Sequence, residues 1–160
     1  MAIIGIDHVQ VAMPRGEEMQ ARSFYGDVLG LIEIPKPAEL LGHGGVWFLC
    51  GSVQLHLGVE EEFRPAKKAH PVLLVTQFED SIAAIRDAGF TVNDETSLPN
   101  VRRAFVSDPL GNRIELVAAN TASNNKLGEQ IMLNDIPSPI DLRLMNDARE
   151  WEETAMAKRP

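Results

Sequence analysis

Two histidines and two oxygen-bearing side chains recur at matching intervals in this sequence and could together bind a metal ion. Gln54 follows His8 by 46 positions, and Glu115 follows His70 by 45. Each pair joins an imidazole in one apolar segment to an oxygen atom in a later one, in the local settings VQL and IEL. If the segments pack about a pseudo-twofold axis, the four groups converge. Two nitrogens and two oxygens suit a divalent cation with positions left for water or substrate.

The identity of the fourth ligand stays open between two side chains. The amide oxygen of Gln54 is neutral and a poorer ligand than a carboxylate. His56 lies two residues further along the same segment and on the same face as Gln54. Either residue could ligate the ion. If neither does, a triad of His8, His70 and Glu115 remains, which is an arrangement typical of ferrous iron sites.

Glu115 lies in the segment whose local structure is most clearly indicated. Residues 108–112, DPLGN, have the composition of a tight turn, with Asp opening it, Pro presetting the next φ and Gly near its end. A strand should follow at Arg113 to Val117. Because successive side chains alternate in a strand, Glu115 faces away from Ile114 and Leu116. A carboxylate is thereby held on a rigid element.

The elements that position these residues form one pattern used twice, β-α-β-β-β, which predicts an α+β fold. The first module spans residues 3–59 and the second spans residues 70–118, with a charged linker at 60–69. Strands are predicted at 3–12, 31–34, 46–50, 52–59, 70–75, 90–92, 102–107 and 113–118. One helix is predicted at 17–29. A second begins where Thr76 and Glu79 could form a capping box, and it ends at Gly89. Residues 1–119 therefore form the principal domain.

Residues 120–160 fall outside the repeat and are predicted to be a partly helical C-terminal extension. A polar stretch and two prolines precede 142–157, which has helical composition and one narrow apolar stripe. This extension could pack across a dimer, cover a cavity mouth or form a tail.

Composition excludes several classes of partner. The net charge of −8 argues against nucleic acids and anionic membranes, because both require clustered Lys and Arg. The single cysteine, Cys50, excludes an internal disulfide framework and fits a reducing compartment, so a cytoplasmic location is expected. The first residues are interrupted by Asp7 and His8 and read as a strand. No apolar run approaches the length that spans a membrane.

Four stretches together resemble the vicinal oxygen chelate superfamily, which includes glyoxalase I, bleomycin-binding proteins and extradiol dioxygenases. They are IDHVQVAM, SFYGDVLGL, VQLHL and DPLGNRIELV, and the resemblance covers residues 3–118. It implies an open, U-shaped mixed sheet around a central cavity, a homodimer and a small-molecule substrate. By position, His8, Gln54, His70 and Glu115 match the metal ligands of metal-dependent members. The implied cofactor is one divalent ion, which could be Ni, Zn, Co, Mn, Mg or Fe(II).

Four further side chains are expected to line that cavity, since they share strand faces with the candidate ligands. These are Gln10, His56, Arg103 and Phe105.

The leading functional hypothesis is a metal-dependent lyase or isomerase of the glyoxalase type. The ion would chelate two neighbouring substrate oxygens and stabilise the enediolate formed when a proton leaves the adjacent carbon, with Glu115 as the catalytic base. One alternative is an extradiol-type dioxygenase, which needs only His8, His70 and Glu115. Another is a binding protein of the bleomycin-resistance type that sequesters a drug or metabolite without catalysis.

Overall fold

The structure is a computed structural model, and it describes residues 2–119. The predicted C-terminal extension, residues 120–160, lies outside the described residues. The strands are β1 (His8–Met13), β2 (Ile32–Ile34), β3 (Val46–Cys50), β4 (Val53–Val59), β5 (Val72–Val75), β6 (Val92–Glu95), β7 (Arg103–Ser107) and β8 (Arg113–Ala118). The helices are α1 (Glu18–Ala21), which continues as a π-helix (Arg22–Val28), a 3₁₀ helix (Ala38–His43) and α2 (Phe78–Asp87).

The strands form two mixed sheets of four strands each, in the orders β1-β4-β3-β2 and β5-β8-β7-β6. In each sheet the first and last strands of the module run parallel, and the other neighbours run antiparallel. The helix of each module provides the crossover between its first two strands. The predicted α+β class with two β-α-β-β-β modules is therefore confirmed. β1 and β5 are edge strands of their sheets.

Each sheet has one apolar face and one face that carries the candidate ligands. In β1, Val11 and Met13 are buried whereas His8 and Gln10 are exposed, as the alternating pattern predicted. The helices cover the apolar faces, and a single cluster of buried side chains joins both modules. Its largest helical members are Phe24, Tyr25, Ile82 and Ile85. Each such side chain contributes about 1.5–3 kcal/mol through burial.

The first module departs from the predicted boundaries at two places. The first helix is α-helical for only one turn, and its π-helical remainder is marked by the bond from the Leu29 amide to the Phe24 carbonyl, five residues back. It ends at Gly30, as expected, where φ is +72°. β1 begins at His8 and not at residue 3, and Ile3 and Ile4 are almost fully exposed.

The predicted capping box of the second module is wrong. α2 begins at Phe78 with Gln77 as its N-cap, and no side chain bonds to the cap. Thr76 therefore lies one residue too early to cap this helix. None of the helices in residues 2–119 is long and apolar enough to cross a membrane.

The turn before β8 is bound to the first module by a buried polar network. Asp108, which is 3% exposed, accepts hydrogen bonds from the Tyr25 hydroxyl at 2.8 Å and from the amides of Leu110 and Asn112. The Asn112 side chain donates to Asp108 and to the Ala12 carbonyl in β1, at 2.9 and 3.0 Å. Burial, together with the neighbouring carboxylate, raises the pKa of Tyr25 well above its usual value, so its hydroxyl stays a donor.

This network predicts two graded losses of stability. Tyr25→Phe removes one of several donors to Asp108 and should lower the free energy of unfolding by about 1 kcal/mol. Asn112→Ala also leaves buried backbone groups without partners and should cost about 2–4 kcal/mol. Urea denaturation measures both, with the exposed Asn93→Ala as the matched control, which should change stability by less than about 0.5 kcal/mol. Equal losses for Asn112→Ala and Asn93→Ala would contradict this role.

Candidate metal centre

The second sheet brings His70, Arg103 and Glu115 together on its polar face. Glu115 is 6% exposed and lies on β8 directly opposite Phe105 of β7. Its two carboxylate oxygens have different partners: Oε2 lies 2.9 Å from His70 Nε2, and Oε1 accepts a hydrogen bond of 3.0 Å from Arg103. The predicted neighbourhood of these residues is therefore present, with Glu115 as its most buried member.

The other ring nitrogen of His70 determines what its Nε2 can do. His70 Nδ1 lies 2.7 Å from the Lys68 carbonyl, which can only accept, so Nδ1 carries a proton and donates it. In the neutral ring, Nε2 then presents a lone pair toward Glu115 Oε2. Two such electron-rich atoms at 2.9 Å need a positive charge between them, either a proton or a metal cation. A backbone carbonyl that orients a histidine in this way is the usual support of a metal ligand.

Phe105 is the aromatic centre of this half of the site. The ring of His70 meets it edge-on at 5.4 Å, and the guanidinium carbons of Arg103 and Arg113 lie 5.6 and 4.8 Å from its centroid. Arg103 also donates to the Ser97 hydroxyl at 2.9 Å. Both predicted cavity residues of this sheet thus lie beside the candidate ligands.

The first sheet holds a different arrangement, built on three stacked rings. His56 lies between Trp47, at 3.8 Å and 1° from parallel, and His8, at 4.4 Å and 15°. Its Nε2 lies 2.8 Å from Gln54 Oε1, and because the amide oxygen only accepts, Nε2 donates. His56 therefore orients the Gln54 amide. Trp47 on β3 lies directly opposite His56 on β4, so the two side chains share one face of the sheet.

His56 is the most perturbed imidazole of the described residues. It is 5% exposed, and burial, with a smaller effect of neighbouring His8, lowers its pKa from 6.5 to about 4. The ring is therefore neutral near pH 7. His8 in turn has its Nδ1 2.9 Å from the Asp7 carboxylate, an acceptor, which leaves Nε2 as its ligand atom.

Strand register bears on the choice between Gln54 and His56. His8 lies directly opposite Gln54, whereas Glu115 lies opposite Val72, two residues after His70. The His70–Glu115 contact is therefore diagonal. In the first sheet the equivalent diagonal runs from His8 to His56, because His56 lies opposite Gln10, two residues after His8. Gln54 is adjacent to His8 by register, and His56 is the register counterpart of Glu115.

A cavity of about 220 Å³ opens on the polar face of the first sheet. Gln10 lines it together with Lys36, His43 and Trp47. The Gln10 side-chain amide lies over Gly58, where an added Cβ atom would come within 2.6 Å of it, so a larger residue at position 58 would displace this amide. Of the four predicted cavity residues, Gln10 lines this cavity directly and His56 stacks on its Trp47 wall.

The four predicted ligands form two pairs in this chain. Within residues 2–119, no three His, Cys, Asp or Glu side chains form a group that could hold a metal ion. His8 therefore does not join His70 and Glu115 in such a group within one chain. A site that uses both pairs stays a prediction.

The stacking of His56 predicts a specific pH dependence. Between pH 6.5 and about 4, the unfolded chain binds a proton at His56 that the folded chain does not bind, so stability should fall as pH falls through this window. Proton NMR of the His56 ring should show a midpoint at about 4. Trp47→Ala exposes the ring and should move this midpoint up toward 6.5. A wild-type midpoint near 6.5 would show that the ring is solvated.

Comparison with known proteins assigns the chain to a family. No protein-family profile matches it, and no curated protein does. Among solved structures, a glyoxalase family protein from Bacillus anthracis is 49% identical, with a TM-score of 0.72 over 74% of this chain and 97% of that one.

Two others share the fold at 20% identity. A member of the glyoxalase/bleomycin resistance protein/dioxygenase superfamily from Sphaerobacter thermophilus has a TM-score of 0.60 over 72% and 98% of the two chains, and lactoylglutathione lyase from Agrobacterium tumefaciens has 0.56 over 72% and 93%. The resemblance seen in the sequence is confirmed, and this chain belongs to the glyoxalase/bleomycin resistance protein/dioxygenase superfamily, the vicinal oxygen chelate superfamily.

Proposed function

We propose that this protein is a metal-dependent, glyoxalase-like lyase or isomerase of small oxygenated substrates. The observation that carries this proposal is the contact of His70 Nε2 with Glu115 Oε2, made while His70 Nδ1 donates to a backbone carbonyl. A positive charge, either a proton or a metal cation, must lie between these two atoms, and a histidine whose other ring nitrogen donates to a backbone carbonyl has the usual support of a metal ligand.

The donor set of the chain fits a divalent ion. His70 and His8 each have Nδ1 bonded to an acceptor, which leaves both Nε2 atoms for ligation. Glu115 would supply the anionic oxygen and Gln54 the neutral one. In this assignment His56 positions the Gln54 amide through its 2.8 Å hydrogen bond.

The chemistry divides between the ion and the protein. A bound divalent ion would act as a Lewis acid toward two neighbouring substrate oxygens. Glu115 would hold the ion through Oε2, and the same oxygen, once released from the ion, would accept the proton from the carbon beside the two substrate oxygens, because Arg103 engages Oε1. Gln54 has no basic atom, so Glu115 is the base that this set of four residues offers.

We further propose that a second copy of the chain completes each site. β1 and β5 are edge strands, and apolar side chains beside them are exposed: Ile3, Ile4, Ile6, Val72 and Leu74 are between 52% and 97% exposed. Unpaired edges with exposed apolar residues are typical sites of strand pairing or of subunit contact. In a homodimer, the His8–Gln54 pair of one subunit would meet the His70–Glu115 pair of the other.

Metal content tests the ligand set. Protein purified without an affinity tag or chelator should contain about one divalent ion per chain by elemental analysis. His8→Ala, His70→Ala and Glu115→Ala should each lower metal affinity by at least about 100-fold, because each removes a direct ligand, whereas loss of a group that only orients a ligand costs about 10–100-fold. Gln54→Ala and His56→Ala separate the two candidates for the fourth ligand. Asp87→Ala, which removes an exposed carboxylate at the end of α2 on the apolar side of the second sheet, is the matched control. Retention of the metal in the Glu115→Ala variant would contradict the assignment.

Mixing two inactive variants tests the shared site. If each site combines residues of two subunits, a heterodimer of His8→Ala and Glu115→Ala chains contains one site with both defects and one intact site. Because refolding an equal mixture makes half of the dimers heterodimers, metal binding should then return to about one quarter of the wild-type level after the two variants are unfolded together and refolded. If each chain holds its own site, every site in the mixture carries a defect, and no binding returns.

Proton exchange tests the reaction. In D₂O, the metal-loaded protein should exchange the C–H proton of 2-hydroxycarbonyl compounds, including the hemithioacetal of methylglyoxal and glutathione, and NMR follows the exchange. Glu115→Gln should slow it by about 10²–10⁴-fold, as expected for loss of a general base. Oxygen uptake on catechols with Fe(II) would favour the dioxygenase instead. Tight binding without turnover would favour a sequestering protein.

A further inference from the structure

Arg113 is a cationic side chain on the polar face of the second sheet that the proposed chemistry does not use. It precedes Glu115 by two residues on β8, so both side chains project from the same face. Its guanidinium carbon lies 4.8 Å from the centroid of Phe105, and His70 contacts the same ring at 5.4 Å. A cation is thus placed on the aromatic ring that borders both candidate ligands of this module.

The neighbouring arginine shows what distinguishes Arg113. Arg103 is engaged by Glu115 at 3.0 Å and by Ser97, and it lies 3.9 Å from Glu95. Arg113 forms no ion pair with any carboxylate in residues 2–119, and its side-chain contact there is the ring of Phe105. Arg103 therefore orients Glu115, whereas the N–H groups of Arg113 are available to a ligand.

We propose that Arg113 binds a carboxylate group of the substrate. A guanidinium remains charged at every physiological pH and presents paired N–H donors that match the two oxygens of a carboxylate. The Phe105 ring covers one side of this group and holds it in place. The substrate class is then a small carboxylic acid with two neighbouring oxygens, whose carboxylate lies on Arg113 while its reacting carbon reaches Glu115. This inference rests on the proposed function for the role of Glu115, but the anion site can be tested without a metal.

Metal-free protein tests the anion site by itself. Succinate is titrated into the full chain while ¹⁵N NMR follows the Arg113 backbone amide and Nε–H signals. Saturable shifts at Arg113 that are lost in Arg113→Gln are expected, with Arg86→Ala as the matched control, because Arg86 is paired with Asp94 away from this face. An absence of shifts at Arg113 would overturn the proposal. Tighter binding of inorganic phosphate than of succinate would also overturn it, since the site would then select a phosphate group.

Metal-loaded protein tests the link to the centre. Acetohydroxamate and succinic monohydroxamate chelate metals through the same two neighbouring oxygens, and only the second carries a carboxylate. By calorimetry on the zinc-loaded protein, the second should bind about tenfold more tightly. Arg113→Gln should abolish this preference and leave acetohydroxamate binding unchanged, and Arg113→Lys should keep only part of it. A preference that survives in Arg113→Gln would overturn the proposal. Failure of both hydroxamates to bind, with succinate still shifting the Arg113 signals, would count against the proposed metal function and support the anion site.

Discussion

The buried carboxylate of Asp108 is the constraint on which the rest of this structure depends. An ionised carboxylate is costly to bury unless donors surround it, and here the Tyr25 hydroxyl, two backbone amides and the Asn112 side chain supply them. The Asn112 amide group also reaches Ala12 in β1, and its oxygen accepts from the Ala66 amide in the linker. One turn therefore ties together the first strand, the linker and the start of β8.

This turn fixes the strands that carry both candidate ligand pairs. His8 lies in the same strand as Ala12, and Glu115 lies three residues beyond Asn112. A displacement of the turn would therefore move β1 and β8 together. The DPLGNRIELV stretch, which carries the family resemblance, also has a structural role in this chain. Asp108 and Asn112 connect the two modules, whereas Glu115 projects from the polar face of the second sheet.

The two candidate ligand pairs differ in their physical character. The first is neutral and aromatic, since His56 is buried between Trp47 and His8 and its pKa is lowered to about 4. The second is ionic, with Glu115 between His70 and Arg103. The repeated fold has thus placed a stack of aromatic rings on one sheet and a charged, hydrogen-bonded cluster on the other.

Alternation and turn chemistry determined much of this protein from its sequence alone. The two modules, the polar faces with His8, Gln10, Gln54 and Glu115, and the turn at 108–112 follow from side-chain periods and from residues with strong backbone preferences, which are local properties. The start of α2 and the π-helical turn were missed because tertiary packing overrides weak local signals there. Only the tertiary structure decided that Tyr25 and Asn112 would meet Asp108, that Trp47 and His8 would enclose His56, and that Arg103 would be paired while Arg113 was not. Those outcomes depend on strand register and on contacts between residues up to 100 positions apart, which no local pattern records.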